Sequence, residues 1–108
     1  MKTFMEPRSK EVSALVDALL SNQTKTEAYA FLRDLLTFEE LVEFANRWKV
    51  ANMLTGKIPY SKIEKETGMS STTIARISKW LKNGMGGYQK TIERLNDIKT
   101  QTAHRTTS

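Results

Sequence analysis

Between Lys57 and Lys82 the chain sets the cations Lys57, Lys62, Lys65, Arg76, Lys79 and Lys82 and the hydroxyls of Ser61, Ser70, Ser71 and Thr72 among spaced isoleucines. The chemistry open to such a set is recognition of a polyanion rather than a reaction. Ser and Thr hydroxyls meet either donors or acceptors on base edges. The methyls of Thr72 and Ala75 suit thymine, and an ammonium such as that of Lys79 reaches guanine O6 or N7. Lys57, Lys62, Lys65 and Lys82 suit backbone phosphate, as does a helix N-terminus at Ser61. Ser71, Thr72, Ala75 and Lys79 are therefore the candidate base readers, and Lys57, Ser61, Lys62, Lys65 and Lys82 the candidate phosphate contacts.

The charge of the whole chain agrees. Residues 1–56 carry 7 basic and 8 acidic side chains, residues 57–82 carry 6 and 2, and residues 83–108 carry 4 and 2. The excess of +5 thus lies entirely beyond Gly56. A local basic field of this kind attracts polyanions, although a solvated lysine-rich face would have the same composition.

Other classes fit poorly. With no cysteine there is no disulfide, thiolate metal site or cysteine nucleophile, and a reducing cytoplasm is the expected compartment. The single histidine, His104, falls in a C-terminal segment without core-forming residues and has no metal-ligating neighbours. No glycine-rich phosphate loop follows a strand, and acid pairs such as Glu39 and Glu40 suit helix N-termini. The chain is not expected to be an enzyme, and no cofactor or metal is expected. "MKTFMEPRSKEV" lacks the apolar run of a signal peptide, and "AYAFL" is far too short for a membrane span.

The elements that must position these residues are helical, because period-2 alternation is almost absent and 3.6-type spacing runs nearly throughout. The spacing predicts a helix over 10–22, capped by Ser9, with Val12, Leu15, Val16 and Leu19 on one face. Thr24-x-x-Glu27 and Thr37-x-x-Glu40 have capping-box spacing and open helices over 25–35 and 38–55. The helix over 38–55 is apolar on more than one side, through Leu41, Phe44, Ala45, Trp48 and Ala51, widened by Val50, Met53 and Leu54. Such breadth implies burial against several neighbours, some from a second subunit. Gly56 and Pro59 end it. Ser61-x-x-Glu64 is a third capping-box spacing, opening a short helix that stops at Gly68. Ser70 caps a helix to Asn83, and "YQKTIERLNDI" makes the last, with Ile92, Leu95 and Ile98. Residues 99–108 read as a flexible tail. The expectation is one all-α domain of six helices over 1–98, with dimerisation helices over about 10–55 and 88–98.

Residues 60–83 have the form of a helix-turn-helix. Gly68 supplies a left-handed turn without a Cβ penalty, Ile63 and Met69 face inward, and Ile74, Ile77 and Leu81 line one side of the second helix. At about 100° per residue, Ser71, Thr72, Ala75, Lys79 and Lys82 fall on the other flank. Glu64 stands where many such units carry a small residue.

"LLTFEELVEFANRWKVANML" followed by "KIEKETGMSSTTIARISKWLKNG" resembles the Trp repressor superfamily, most closely its YerC/YecD-type branch, over roughly residues 10–95. The resemblance implies a six-helix subunit in an intertwined homodimer, and binding of double-stranded DNA at a pseudo-palindromic operator, one recognition helix per major groove. It also implies a vestigial ligand pocket. Thr37 and Arg47 match positions lining the L-tryptophan site of the family's best-known member, and Arg76 matches the arginine that stacks on the ligand. Ile77 replaces a glycine there and Trp80 a serine. Side chains of that size fill the slot a free amino acid would need. Free L-tryptophan is therefore not the expected co-regulator, and the residues name no other effector. The competing class is a helical protein-interaction module that kept this fold without operator binding. The small, polar, cationic flank over 71–82 argues against it, since protein hot spots favour large anchors.

Overall fold

The computed structural model describes the backbone of residues 9–107 and the side chains of residues 9–100. Met5 and the side chain of His104 lie outside the described residues. Six α-helices and no strand occur in that range: α1 (Ser9–Ser21), α2 (Lys25–Leu35), α3 (Phe38–Thr55), α4 (Tyr60–Thr67), α5 (Ser71–Asn83) and α6 (Gly87–Thr107). The chain divides into two compact units, residues 1–42 and residues 43–108.

In the N-terminal unit, local hydrogen bonds define the helix starts. The Thr24 hydroxyl accepts from the Glu27 N–H at 3.1 Å, and the Glu27 carboxylate accepts at 2.9 Å from Gln23 rather than from Thr24 itself. Thr37 and Glu40 form the reciprocal box, at 2.9 and 3.0 Å. Ser9 is itself helical in α1 rather than the cap expected of it. Neither α1 nor α2 buries a residue. Val12, Leu15, Val16 and Leu19 form the expected apolar stripe, and all four are exposed in the single chain.

The C-terminal unit has a core. Val50 and Ala51 of α3, Ile63 of α4, Ile74 and Ile77 of α5 and Ile92 of α6 are buried together. Each isoleucine so buried contributes about 1.5–3 kcal/mol from water exclusion. Trp48, Met53, Leu54, Ile58, Met69, Leu81 and Tyr88 pack around them. The Trp48 and Tyr88 rings stack with centroids 6.4 Å apart, which joins α3 to α6. The Gln89 amide donates to the Leu81 carbonyl at 2.7 Å, which joins α6 to the end of α5.

The start of α4 and the end of α6 also differ from the reading of the sequence. α4 begins at Tyr60, and its cap is Pro59, with no side-chain capping bond. Ser61 therefore lies inside the first turn, and the Ser61-x-x-Glu64 spacing builds no capping box. Proline sets φ at −63°, and its carbonyl accepts from the N–H groups of Lys62 and Ile63 at 3.1 Å, so the helix starts without a hydroxyl. At the other end, α6 runs to Thr107 and takes in most of the segment read as a tail. Apolar spacing stops at Ile98, but neither Gly nor Pro follows to interrupt the backbone ladder.

Candidate nucleic-acid interface

The two helices of the head, α4 and α5, meet through a turn built from local bonds. Gly68 sits at φ 74°, ψ 3°, and its N–H donates to the Glu64 carbonyl at 2.8 Å. A Cβ there would meet nothing within 4 Å, so the conformation, not the space, calls for glycine. The Thr67 hydroxyl donates to the Ile63 carbonyl at 2.7 Å and accepts from the Met69 N–H at 3.2 Å. The Ser70 hydroxyl accepts from the Thr73 N–H at 3.2 Å, capping α5. It also lies 3.1 Å from the Thr73 hydroxyl, closing a second bond. The reading of the sequence anticipated Gly68 and Ser70. It missed Thr67, because a threonine at a helix end has no distinctive spacing.

Two faces of α5 separate cleanly. Ile74 and Ile77 are fully buried, whereas Ser71, Thr72, Ala75 and Lys79 are not part of that core. Burying the isoleucines sets the rotation of the helix, and that rotation leaves the polar flank of candidate base readers facing away from the core. Lys57, Ser61, Lys62, Lys65 and Lys82 also lie outside the core. Lys62 lies 3.9 Å from Glu66 one turn on, an exposed pair worth a few tenths of a kcal/mol. Such a pair yields readily to a phosphate. At the end of α5, Gly84 is needed for space: a Cβ would lie 2.5 Å from the Trp80 carbonyl oxygen.

The residues expected to line a vestigial pocket have separate occupations. Thr37 caps α3 within the N-terminal unit. Arg47 pairs with Glu43 at 3.2 Å and lies 6.0 Å from the Phe44 ring centroid, the helix-surface role its spacing from Glu43 allows. Arg76 is exposed, and Ile77 belongs to the core beneath α5 rather than to a cleft. Trp80 is 46% exposed and borders a cleft of about 580 Å³ together with Trp48, Met85 and Tyr88. Gly84 and Gly87 line it as well and bring no side chain into it. Periodicity could not reveal this cleft, since its rings come from α3, α5 and α6.

Among the described residues no cluster of His, Cys, Asp or Glu could hold a metal ion, and no helix is long and apolar enough to cross a membrane.

Comparison with known proteins agrees with this geometry. Residues 10–96 match the family model described as Trp repressor protein. The uncharacterized protein YerC of Bacillus subtilis (strain 168) is 36% identical over 96 residues, spanning 89% of this chain and 92% of its own. The crystal structure of a TrpR-like protein from Eubacterium eligens ATCC 27750 superposes with a TM-score of 0.77 at 37% identity, covering 81% of this chain and 90% of that one. A protein of Staphylococcus aureus assigned provisionally as a Trp repressor gives 0.76 at 32% identity, covering 84% and 95%.

Proposed function

The chain belongs to the Trp repressor protein family, and from that premise we propose that it is a sequence-specific DNA-binding transcriptional regulator acting as a homodimer. The family is one of helical regulators rather than enzymes. The observation that carries the reading to this chain is the division of α5. Its buried isoleucines hold a small, polar, cationic flank away from the core, with Ser71, Thr72, Ala75 and Lys79 on it. Side chains of that size and polarity can approach base edges in a major groove, and the lysines around them offer phosphate contacts.

The homodimer is supported by what the single chain leaves uncovered. Val12, Leu15, Val16 and Leu19 form an apolar stripe at helical spacing, and burying it against a second copy removes that surface from water. A dimer also brings two heads to one duplex, the arrangement that reads a two-fold symmetric site with half-sites about one helical turn apart. Free L-tryptophan is not its effector in this reading. Ile77 is committed to the core, Arg47 to Glu43, and Trp80 puts an indole of its own where the resemblance places the ligand's polar end.

One observation favours a protein-binding role instead. Trp80 and Met85, at 46% and 84% exposure, put large apolar groups beside the polar flank, where a protein partner would find anchors.

Selection of bound duplex from a random pool, with wild type and Lys79→Glu compared across salt concentration, separates the two. The regulator reading expects a two-fold symmetric site bound without added ligand, log K falling steeply with log salt, and a loss of roughly 10- to 100-fold for Lys79→Glu with the dimer intact. No binding at low salt would sink it and move the weight to a protein partner.

A further inference from the structure

Lys57, in the turn from α3 to α4, is the only residue other than glycine with positive φ among the described residues, at 61°. Two backbone bonds define this turn. The Lys57 N–H donates to the Leu54 carbonyl at 2.9 Å, and the Ile58 N–H to the Met53 carbonyl at 3.0 Å. This is the paired helix ending whose left-handed position is normally glycine, because a Cβ there crowds the neighbouring carbonyl. A glycine is present, but at Gly56, one residue too early to take that position. Gly56 is not required for space either: a Cβ on it would meet only carbonyl oxygens at 3.6 and 3.7 Å, ordinary contact distances. The chain therefore carries a long cationic side chain where the backbone favours none.

Strain of this kind persists where the surrounding structure over-determines the position, and it clusters at functional sites. The surroundings of Lys57 indicate which function. Its side chain is exposed, and the only ion pairs among the described residues are Glu43–Arg47 and Lys62–Glu66. Lys57 lines a cleft of about 490 Å³ with Lys82, from the last turn of α5. Leu54, Leu81 and Ile92 contribute apolar lining, and Glu93 adds a carboxylate from α6. Two cations from separate elements thus border one cleft.

We infer that Lys57 is a DNA-phosphate contact, retained in a left-handed turn against the stability of the fold. The inference rests on the DNA-binding reading and extends it: one residue that improves binding is the one that strains the turn. Glycine at this position would build the turn better and contact nothing. A lysine near the end of α3 also interacts favourably with the helix dipole, so charge and strain must be separated in the test.

Lys57→Gly and Lys57→Ala both remove the charge, and only the alanine keeps a Cβ in the left-handed turn. Thermal unfolding of the full chain at fixed protein concentration is expected to place the glycine variant above the alanine variant by roughly 4–8 °C. Titration of the selected duplex across salt is expected to show both variants weakened alike. The slope of log K against log salt should be shallower by about 0.9 for each phosphate that Lys57 neutralises in the wild type. Wild-type affinity and slope in both variants would overturn the inference and leave the DNA reading standing. Equal unfolding midpoints for the two variants would overturn the strain argument. A wild type that binds no duplex would overturn both readings, while the stability comparison would remain readable.

Discussion

The two units of this chain solve the same problem differently. In residues 43–108, short helices bury Val50, Ala51, Ile63, Ile74, Ile77 and Ile92 against one another, and the core closes within one copy. In the N-terminal unit α1 and α2 bury no residue, although both helices are long enough and sufficiently apolar on one side to do so. Their hydrogen-bond ladders are formed and α2 has its hydroxyl cap, so what is missing is cover for the stripe. The contrast teaches that well-formed helices do not make a core. Local hydrogen bonds fix where a helix begins, but only packing sets its rotation, and the N-terminal unit by itself does not supply that packing.

The comparison can be broken most forcefully inside the closed core. Ile74→Ala should lower the unfolding free energy by about 2–5 kcal/mol in chemical denaturation, because a fully buried side chain leaves a cavity that its neighbours cannot fill. A loss within a few tenths of a kcal/mol would mean that the core is not shared as described. The N-terminal stripe answers to a different measurement. With Leu15→Asp and Leu19→Asp combined, sedimentation should show the dimer weakened about 100-fold or more, since carboxylates must then be desolvated at the interface. The circular dichroism of the head's helices should remain. Unchanged association would place the dimer contact elsewhere. The smallest expected effect concerns the caps. Ser70→Ala should cost about 1 kcal/mol, seen directly in denaturation of the closed unit. Thr24→Ala removes the same kind of bond from the open unit. Its effect should grow with dilution, if cover from a second copy is what stabilises α2.

Much of the fold was legible in the residues, and the errors are instructive. Thr24, Thr37 and Ser70 cap where their spacing says, because a hydroxyl bond to an N–H three residues on is a local event. Ser61 has the same spacing and caps nothing, since Pro59 had already started the helix. The head was equally legible: the wheel on α5 separates Ile74 and Ile77 from Ser71, Thr72, Ala75 and Lys79, and burial follows it. The local contacts of the pocket residues were legible only in part: Thr37 caps as its spacing says and Arg47 pairs with Glu43 one turn away, whereas the place of Trp80 at a cleft with rings from other helices has no local signature.

By itself, then, the sequence determined the six helices, the glycine turn, the placement of charge beyond Gly56 and the polar flank of α5. Each of these is a matter of periodicity, capping or composition within a few residues. Only the tertiary structure decided that Trp48, Trp80 and Tyr88 border one cleft, and that Lys57 rather than Gly56 takes the left-handed position. The cleft depends on side chains brought together from different helices. The Lys57 turn depends on where the last bond of α3 closes, and a shift of one residue there decides which side chain bears the strain.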